Sequence, residues 1–167
     1  MIAILQHGPG EPAGYIQEIL VEKEQPYDYI RLYETNELPP LSTSHLLILG
    51  GRMSVNDEKE YPFLKGEKAL VREYVRSGRA VLGVCLGAQM IASAFGRAVY
   101  PKIREAGWSR VHRTPACSLK AAADSPMVFQ WHNETFDLPD GANLIYRGDT
   151  IENQAFTLGS ALAVQFH

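Results

Sequence analysis

A chain of 167 residues, 46% of them apolar and 21% charged, is long enough to bury a substantial core and has the balance of one globular domain. Its net charge of −3 comes from charges mixed along the chain, which excludes a strongly basic nucleic-acid footprint or membrane-surface patch and directs attention to small-molecule substrates. Two cysteines make neither a disulfide framework nor a Cys-rich zinc site, no apolar run is long enough to span a bilayer, and the N-terminus lacks a signal-peptide pattern; a cytoplasmic protein with a free thiol is expected.

The chain opens on an apolar run, Met1 to Gln6, of the kind that forms a central strand, broken by His7-Gly8-Pro9-Gly10. Between Ala13 and Lys23 the residues Tyr15, Ile16, Ile19 and Leu20 share one helical face, and Tyr27 to Tyr33 returns to strand character. This is a β-α-β unit with a right-handed crossover expected. A polar connection with Pro39-Pro40 leads to a second buried-strand run, His45 to Leu49, which stops at Gly50-Gly51. Paired glycines there free the backbone and expose amide groups. Met53 to Tyr61 reads as a surface loop, Pro62 as a helix opening, and Gly78 as its end, with Leu70, Val71, Tyr74 and Val75 on the inner face.

The next stretch organises the rest. Ala80 to Val84 is an uncharged strand run; Gly83-Val84-Cys85-Leu86-Gly87 forces a sharp turn; Met90, Ile91, Ala94 and Phe95 then mark one face of a helix closed by Gly96. A nucleophile on a strained strand-to-helix turn has this outline, and the helix N-terminus favours a thiolate at Cys85. Beyond it, Ala98 to Tyr100, Trp108 to His112, Met127 to Trp131, Leu144 to Tyr146, Gln154 to Leu158 and Ala161 to Phe166 read as short strands separated by turn signals. Alternating strands and helices followed by closely spaced strands predict an α/β domain with an added antiparallel portion.

Three segments, Leu49-Gly50-Gly51 with Arg52-Met53-Ser54, Gly83-Val84-Cys85-Leu86-Gly87-Ala88-Gln89, and Val164-Gln165-Phe166-His167, resemble in order the motifs of class I (triad) glutamine amidotransferases. The Gly-Gly-x-Met-Ser variant and Trp131-His132-Asn133-Glu134-Thr135-Phe136 are most similar to the stand-alone, GMP-synthase-like branch. The resemblance implies a three-layer, mostly parallel sheet with a flavodoxin-like core and helices on both faces, plus a small antiparallel portion. It implies a single domain over 1–167 that lacks its C-terminal end, because the family's third triad member, a glutamate two residues beyond the histidine, falls past His167.

On this resemblance Cys85 attacks the γ-amide of glutamine, His167 is the general base, the amides of Gly51 and Leu86 form the oxyanion hole, and Gln89, His132, Asn133 and Glu134 contact substrate. Arg52 stands where many members have proline. Neither a metal nor a cofactor is called for. The expected partners are glutamine or a γ-glutamyl compound and a separate ammonia-accepting synthetase subunit, with no nucleic acid or membrane. Two other readings stay open: a γ-glutamyl peptide hydrolase of the same fold, and a catalytically idle binding or regulatory module, since an unoriented His167 is a poor base. Cys117 is expected to be inert, and His7, His45 and His112 to be structural.

Overall fold

The computed structural model describes residues 1–120 and 123–167. In chain order the elements are β1 (Ile2–Gln6), α1 (Tyr15–Glu22), β2 (Tyr27–Arg31), α2 (Leu32–Thr35), β3 (His45–Ile48), α3 (Phe63–Arg76), β4 (Val81–Val84), α4 (Leu86–Ala94), β5 (Val99–Arg113), β6 (Met127–Phe136), β7 (Asn143–Gly148), β8 (Asn153–Leu158) and β9 (Ala161–Val164). The strands form one nine-stranded sheet in the order β2-β1-β3-β4-β9-β8-β7-β5-β6. β2, β1, β3, β4 and β9 run parallel; from β9 onward the pairings are antiparallel. The antiparallel part is therefore as extensive as the parallel one, and β9 joins them.

Strand alternation sorts the side chains into two layers. Ala3, Leu5, Leu46 and Ile48 point to the face covered by α3 and α4, where Leu64, Val71, Tyr74, Met90 and Ile91 complete the main core. Ile4, Leu47 and Leu49 point the other way, against Ala13 and the Ile16 and Leu20 side of α1. The two faces give the three-layer α/β arrangement expected from the sequence. α1 is a shallow cover: none of its residues is fully buried, and Tyr15 is 72% exposed. A smaller cluster of Val111, Cys117, Val128, Ile145, Tyr146 and Ala155 lies under the antiparallel half.

Two local differences from the sequence reading have plain causes. The expected strand Tyr27 to Tyr33 ends at Arg31, where a single helical turn carries Leu32 into the core and stops at Asn36 in the left-handed region (φ 57). The short extended pieces at Ala98 and Trp108 are one 15-residue strand, β5, whose middle is exposed and whose ladder with β6 is interrupted between Pro101 and Glu105. No helix among the described residues is long and apolar enough to cross a membrane.

Candidate active site

The carboxyl ends of parallel strands share one edge of a sheet, and loops leaving them converge. β4 pairs with β9 so that Val84 lies beside Val164, and the Cys85 N–H donates to the Val164 carbonyl at 2.8 Å. Cys85 and the last three residues thus emerge side by side. Between β4 and α4, Cys85 takes φ 54 and ψ −105, a conformation costly to a residue with a Cβ, by about 1–3 kcal/mol. Two glycines make the bend passable: a Cβ on Gly83 would strike the backbone of Gly87, and one on Gly87 would strike the Ile48 carbonyl. α4 is therefore drawn close to β3 and β4, and with α3 and the rest of the sheet packed around it eight of its nine residues are buried.

The bend opens into a cleft of about 850 Å³ whose lining includes Glu11, Gly50, Gly51, Arg52, Cys85, Arg104, Trp131, His132, Asn133 and His167. A point at the Cβ direction of Gly50 lies 3.6 Å from His167 Cε1 and 3.8 Å from Cys85 Cβ, so the thiol and imidazole flank one spot on the same side of the sheet. His167 is tied to β6 by mutual backbone bonds with Phe129, at 2.8 and 3.4 Å. The Trp131 carbonyl accepts a weak bond from the Cys85 thiol at 3.9 Å and also faces the His167 ring. Among the described residues no cluster of three or more His, Cys, Asp or Glu is arranged to hold a metal ion.

The glutamine amidotransferase class-I family model matches residues 4–167. The chain belongs to that family. A glutamine amidotransferase of Thermotoga maritima has the same fold at TM-score 0.94 and 36% identity, covering 99% of this chain and 74% of that one. A glutamine amidotransferase of Methylobacillus flagellatus superposes at TM-score 0.92 with 30% identity over 99% of this chain and 69% of its own. The glutamine amidotransferase-like protein YfeJ of Salmonella typhimurium is 29% identical over 164 residues, 92% of this chain and 69% of the relative.

Within this amidotransferase cleft the expected residues separate into two groups. Cys85, Gly51, His132, Asn133 and His167 line it directly. Leu86 buries its side chain against Gly51, while its backbone N–H bonds the Cys85 sulfur. Gln89 and Glu134 stand back from the cleft wall: the Gln89 amide donates to the Glu134 carbonyl at 3.3 Å and to Gln165 Oε1 at 3.1 Å. The Glu134 carboxyl bonds Ser54, and burial raises its pKa. His132 Nδ1 lies 3.0 Å from the Glu134 carbonyl, and its Nε2 lies 3.1 Å from both Gln130 Oε1 and Glu105 Oε2. Both ring nitrogens are therefore engaged inside the protein.

The electrostatics differ from the thiolate expected at the helix N-terminus. Burial pushes the Cys85 thiol up to about 11, against the opposing pull of the Leu86 N–H, with Glu11 adding to the rise and Gln165 opposing it. Burial also lowers the pKa of His167, helped by repulsion from His132 and resisted by its bond to the Trp131 carbonyl. The resting pair is a thiol beside a neutral imidazole: desolvation outweighs the dipole at the helix end.

Several cleft residues carry no signal in the motifs. Glu11 follows the Gly-rich break after β1, and its Oε2 is buried without a hydrogen-bond partner among the described residues. Arg104 lies over the Trp131 ring at 4.9 Å at the cleft mouth. The signal that finds Glu11 is topological, since the loop at the carboxyl end of a central parallel strand must approach the site. His7, expected to be structural, lies directly behind the Gly50-Gly51 loop.

Proposed function

We propose that the protein hydrolyses the γ-amide of glutamine through a γ-glutamyl thioester on Cys85, releasing ammonia. The observation that carries this reading is the cysteine at positive φ on the strand-to-helix bend, sharing one cleft with His167. His167, neutral at physiological pH, takes the Cys85 proton as sulfur attacks the amide carbon. The oxygen of the tetrahedral intermediate is held by the Leu86 and Gly51 amides. The C–N bond breaks as His167 returns the proton to the departing ammonia, and the same imidazole then activates water to open the thioester. Gln89, His132, Asn133 and Glu134 shape the ground around the amino-acid end of the substrate, Gln89 and Glu134 by bracing the wall and Asn133 by direct contact. Released ammonia passes to a separate synthetase subunit.

The second reading, a γ-glutamyl compound as substrate, is favoured by the size of the cleft. Glutamine alone underfills about 850 Å³, and the lining continues past the nucleophile to Tyr15, Ile16 and Arg104. The two readings separate on measuring ammonia released from glutamine against amine released from γ-glutamyl peptides and amines. A higher kcat/KM for glutamine supports the first, and higher values for the bulkier amides support the second. Release that survives Cys85→Ser undiminished contradicts both.

A further inference from the structure

His7, at the carboxyl end of β1, and Glu67, in the middle of α3, are both sealed from solvent, with side-chain exposures of 0%. The His7 Nε2 lies 3.1 and 3.2 Å from the two Glu67 carboxylate oxygens. Its Nδ1 lies 3.2 Å from the carbonyl oxygen of Gly50. A carbonyl oxygen and an ionised carboxylate only accept hydrogen bonds, whereas a neutral imidazole has a single N–H. The Gly50 contact therefore requires a proton on Nδ1, and a second proton on Nε2, facing the Glu67 carboxyl group, makes the ring a cation. Burial works against that charge, but the attraction and hydrogen bond of Glu67, with the Gly50 carbonyl, outweigh it and hold the His7 pKa above its ordinary value. Glu11 adds a further attraction from the loop after β1, Arg52 in turn acts on Glu11, and the Phe63 ring of α3 lies 6.1 Å from the imidazole.

The carbonyl of Gly50 and the N–H of Gly51 belong to one planar trans peptide and point in opposite directions. Whatever fixes the carbonyl therefore fixes the amide. The loop is also wedged: a Cβ on Gly51 would lie 3.1 Å from His7 Cβ, 2.8 Å from Met53 Sδ and against the Leu86 side chain. We propose that the buried His7–Glu67 pair is a positioning device that holds the Gly50 carbonyl to its own side of the loop and so turns the Gly51 N–H toward the oxygen of the tetrahedral intermediate. His7 touches no substrate, and Glu67 acts only through His7. The inference rests on the reading of Cys85 as nucleophile and Gly51 as oxyanion donor.

Above its raised pKa His7 keeps one proton, which Glu67 draws to Nε2, so the donor at Nδ1 is lost as pH rises. Turnover should therefore decline on the alkaline side at a pH set by His7. Glu67→Gln removes the carboxylate that competes for that proton, and its amide can donate to Nε2, so the neutral ring keeps its proton on Nδ1 and the alkaline decline disappears. An oxyanion donor acts chiefly in the transition state. Its misplacement should lower kcat by about 10- to 100-fold and leave KM nearly unchanged. His7→Gln, which can still donate to the Gly50 carbonyl without a charge, should retain more kcat than His7→Ala and lose the alkaline decline.

The test combines these profiles with ¹⁵N NMR of the His7 ring in the wild-type chain, which needs neither a variant nor turnover. A protonated Nδ1 at neutral pH, with the kcat-specific loss in His7→Ala and the alkaline decline absent from Glu67→Gln, is the expected result. A bare Nδ1 in the wild type overturns the inference even where the variants do not fold. So does a folded Glu67→Gln that keeps the wild-type alkaline decline. If a glutamine-shaped electrophile fails to label Cys85 in the wild type, it is the underlying reading that fails; if labelling and turnover are normal while Glu67→Gln keeps the wild-type alkaline decline, only the positioning role falls.

Discussion

At the scale of single residues, the account depends on Cys85 being held where a side chain is uncomfortable. With φ at 54, the backbone carries a cost that glycine avoids. Comparing Cys85→Gly with Cys85→Ala isolates it, because both remove the sulfur. The glycine variant is expected to be more stable by about 1–3 kcal/mol in urea unfolding, and equal stabilities would contradict the strain. The thiol pKa gives a second expectation. Since burial raises it to about 11, alkylation of Cys85 by a small neutral reagent in the substrate-free protein should be slow near neutral pH and keep accelerating well above pH 9. An alkylation midpoint at or below that of an ordinary cysteine would show a stabilised thiolate instead. For His167 the lowered pKa means the base is unprotonated over a wider range, so the acid limb of kcat/KM should fall below the ordinary histidine value near pH 6.5. A limb above that value would assign the base elsewhere.

At the scale of elements, the strand-bend-helix unit from β4 through α4 was legible because its signals are local. An uncharged strand run and glycines at the points of closest approach lie within a few residues of Cys85, and the closing Gly96 stands at the end of the same short helix. Gly87 supplies the sharpest test: alanine there meets the Ile48 carbonyl, so Gly87→Ala should destabilise by about 1–3 kcal/mol and lower turnover by shifting the bend. Unchanged stability would mean that α4 can retreat from β3. The β5–β6 ribbon was less legible, since Lys102, Ile103 and Arg104 are all exposed and no buried face imposes an alternation there. The His7–Glu67 contact was invisible for another reason. It joins residues 60 apart, and a glutamate on an otherwise amphipathic helix reads as solvent-facing although Glu67 is wholly buried. Motif order identified the cleft; the pair standing behind it emerges only when α3 is folded against β1.

At the scale of the whole molecule, one sheet does two things. Its parallel half delivers loops to a common edge, and its antiparallel half brings β9 and the chain's last residues back beside β4, so residues 85 and 167 meet although nearly half of the sequence separates them. Folding stability is coupled to this arrangement through His7. Because its pKa is raised in the folded protein, its stabilising contribution is fully present below the unfolded value near pH 6.5 and is lost as pH rises through the folded value. The unfolding free energy of Glu67→Gln should lack that alkaline decline, and an identical pH dependence in wild type and variant would remove His7 from the stability account.

The most direct test of the central claim uses the contrast between the two thiols. Cys85 and Cys117 are equally buried, each 7% exposed, but only Cys85 lines the cleft. Mass spectrometry after treatment with a diazoketone analogue of glutamine should find one adduct per chain, on Cys85, suppressed by excess glutamine and absent in Cys85→Ala. An unmodified Cys85, or labelling that glutamine does not suppress and that Cys117 shares, would contradict the account.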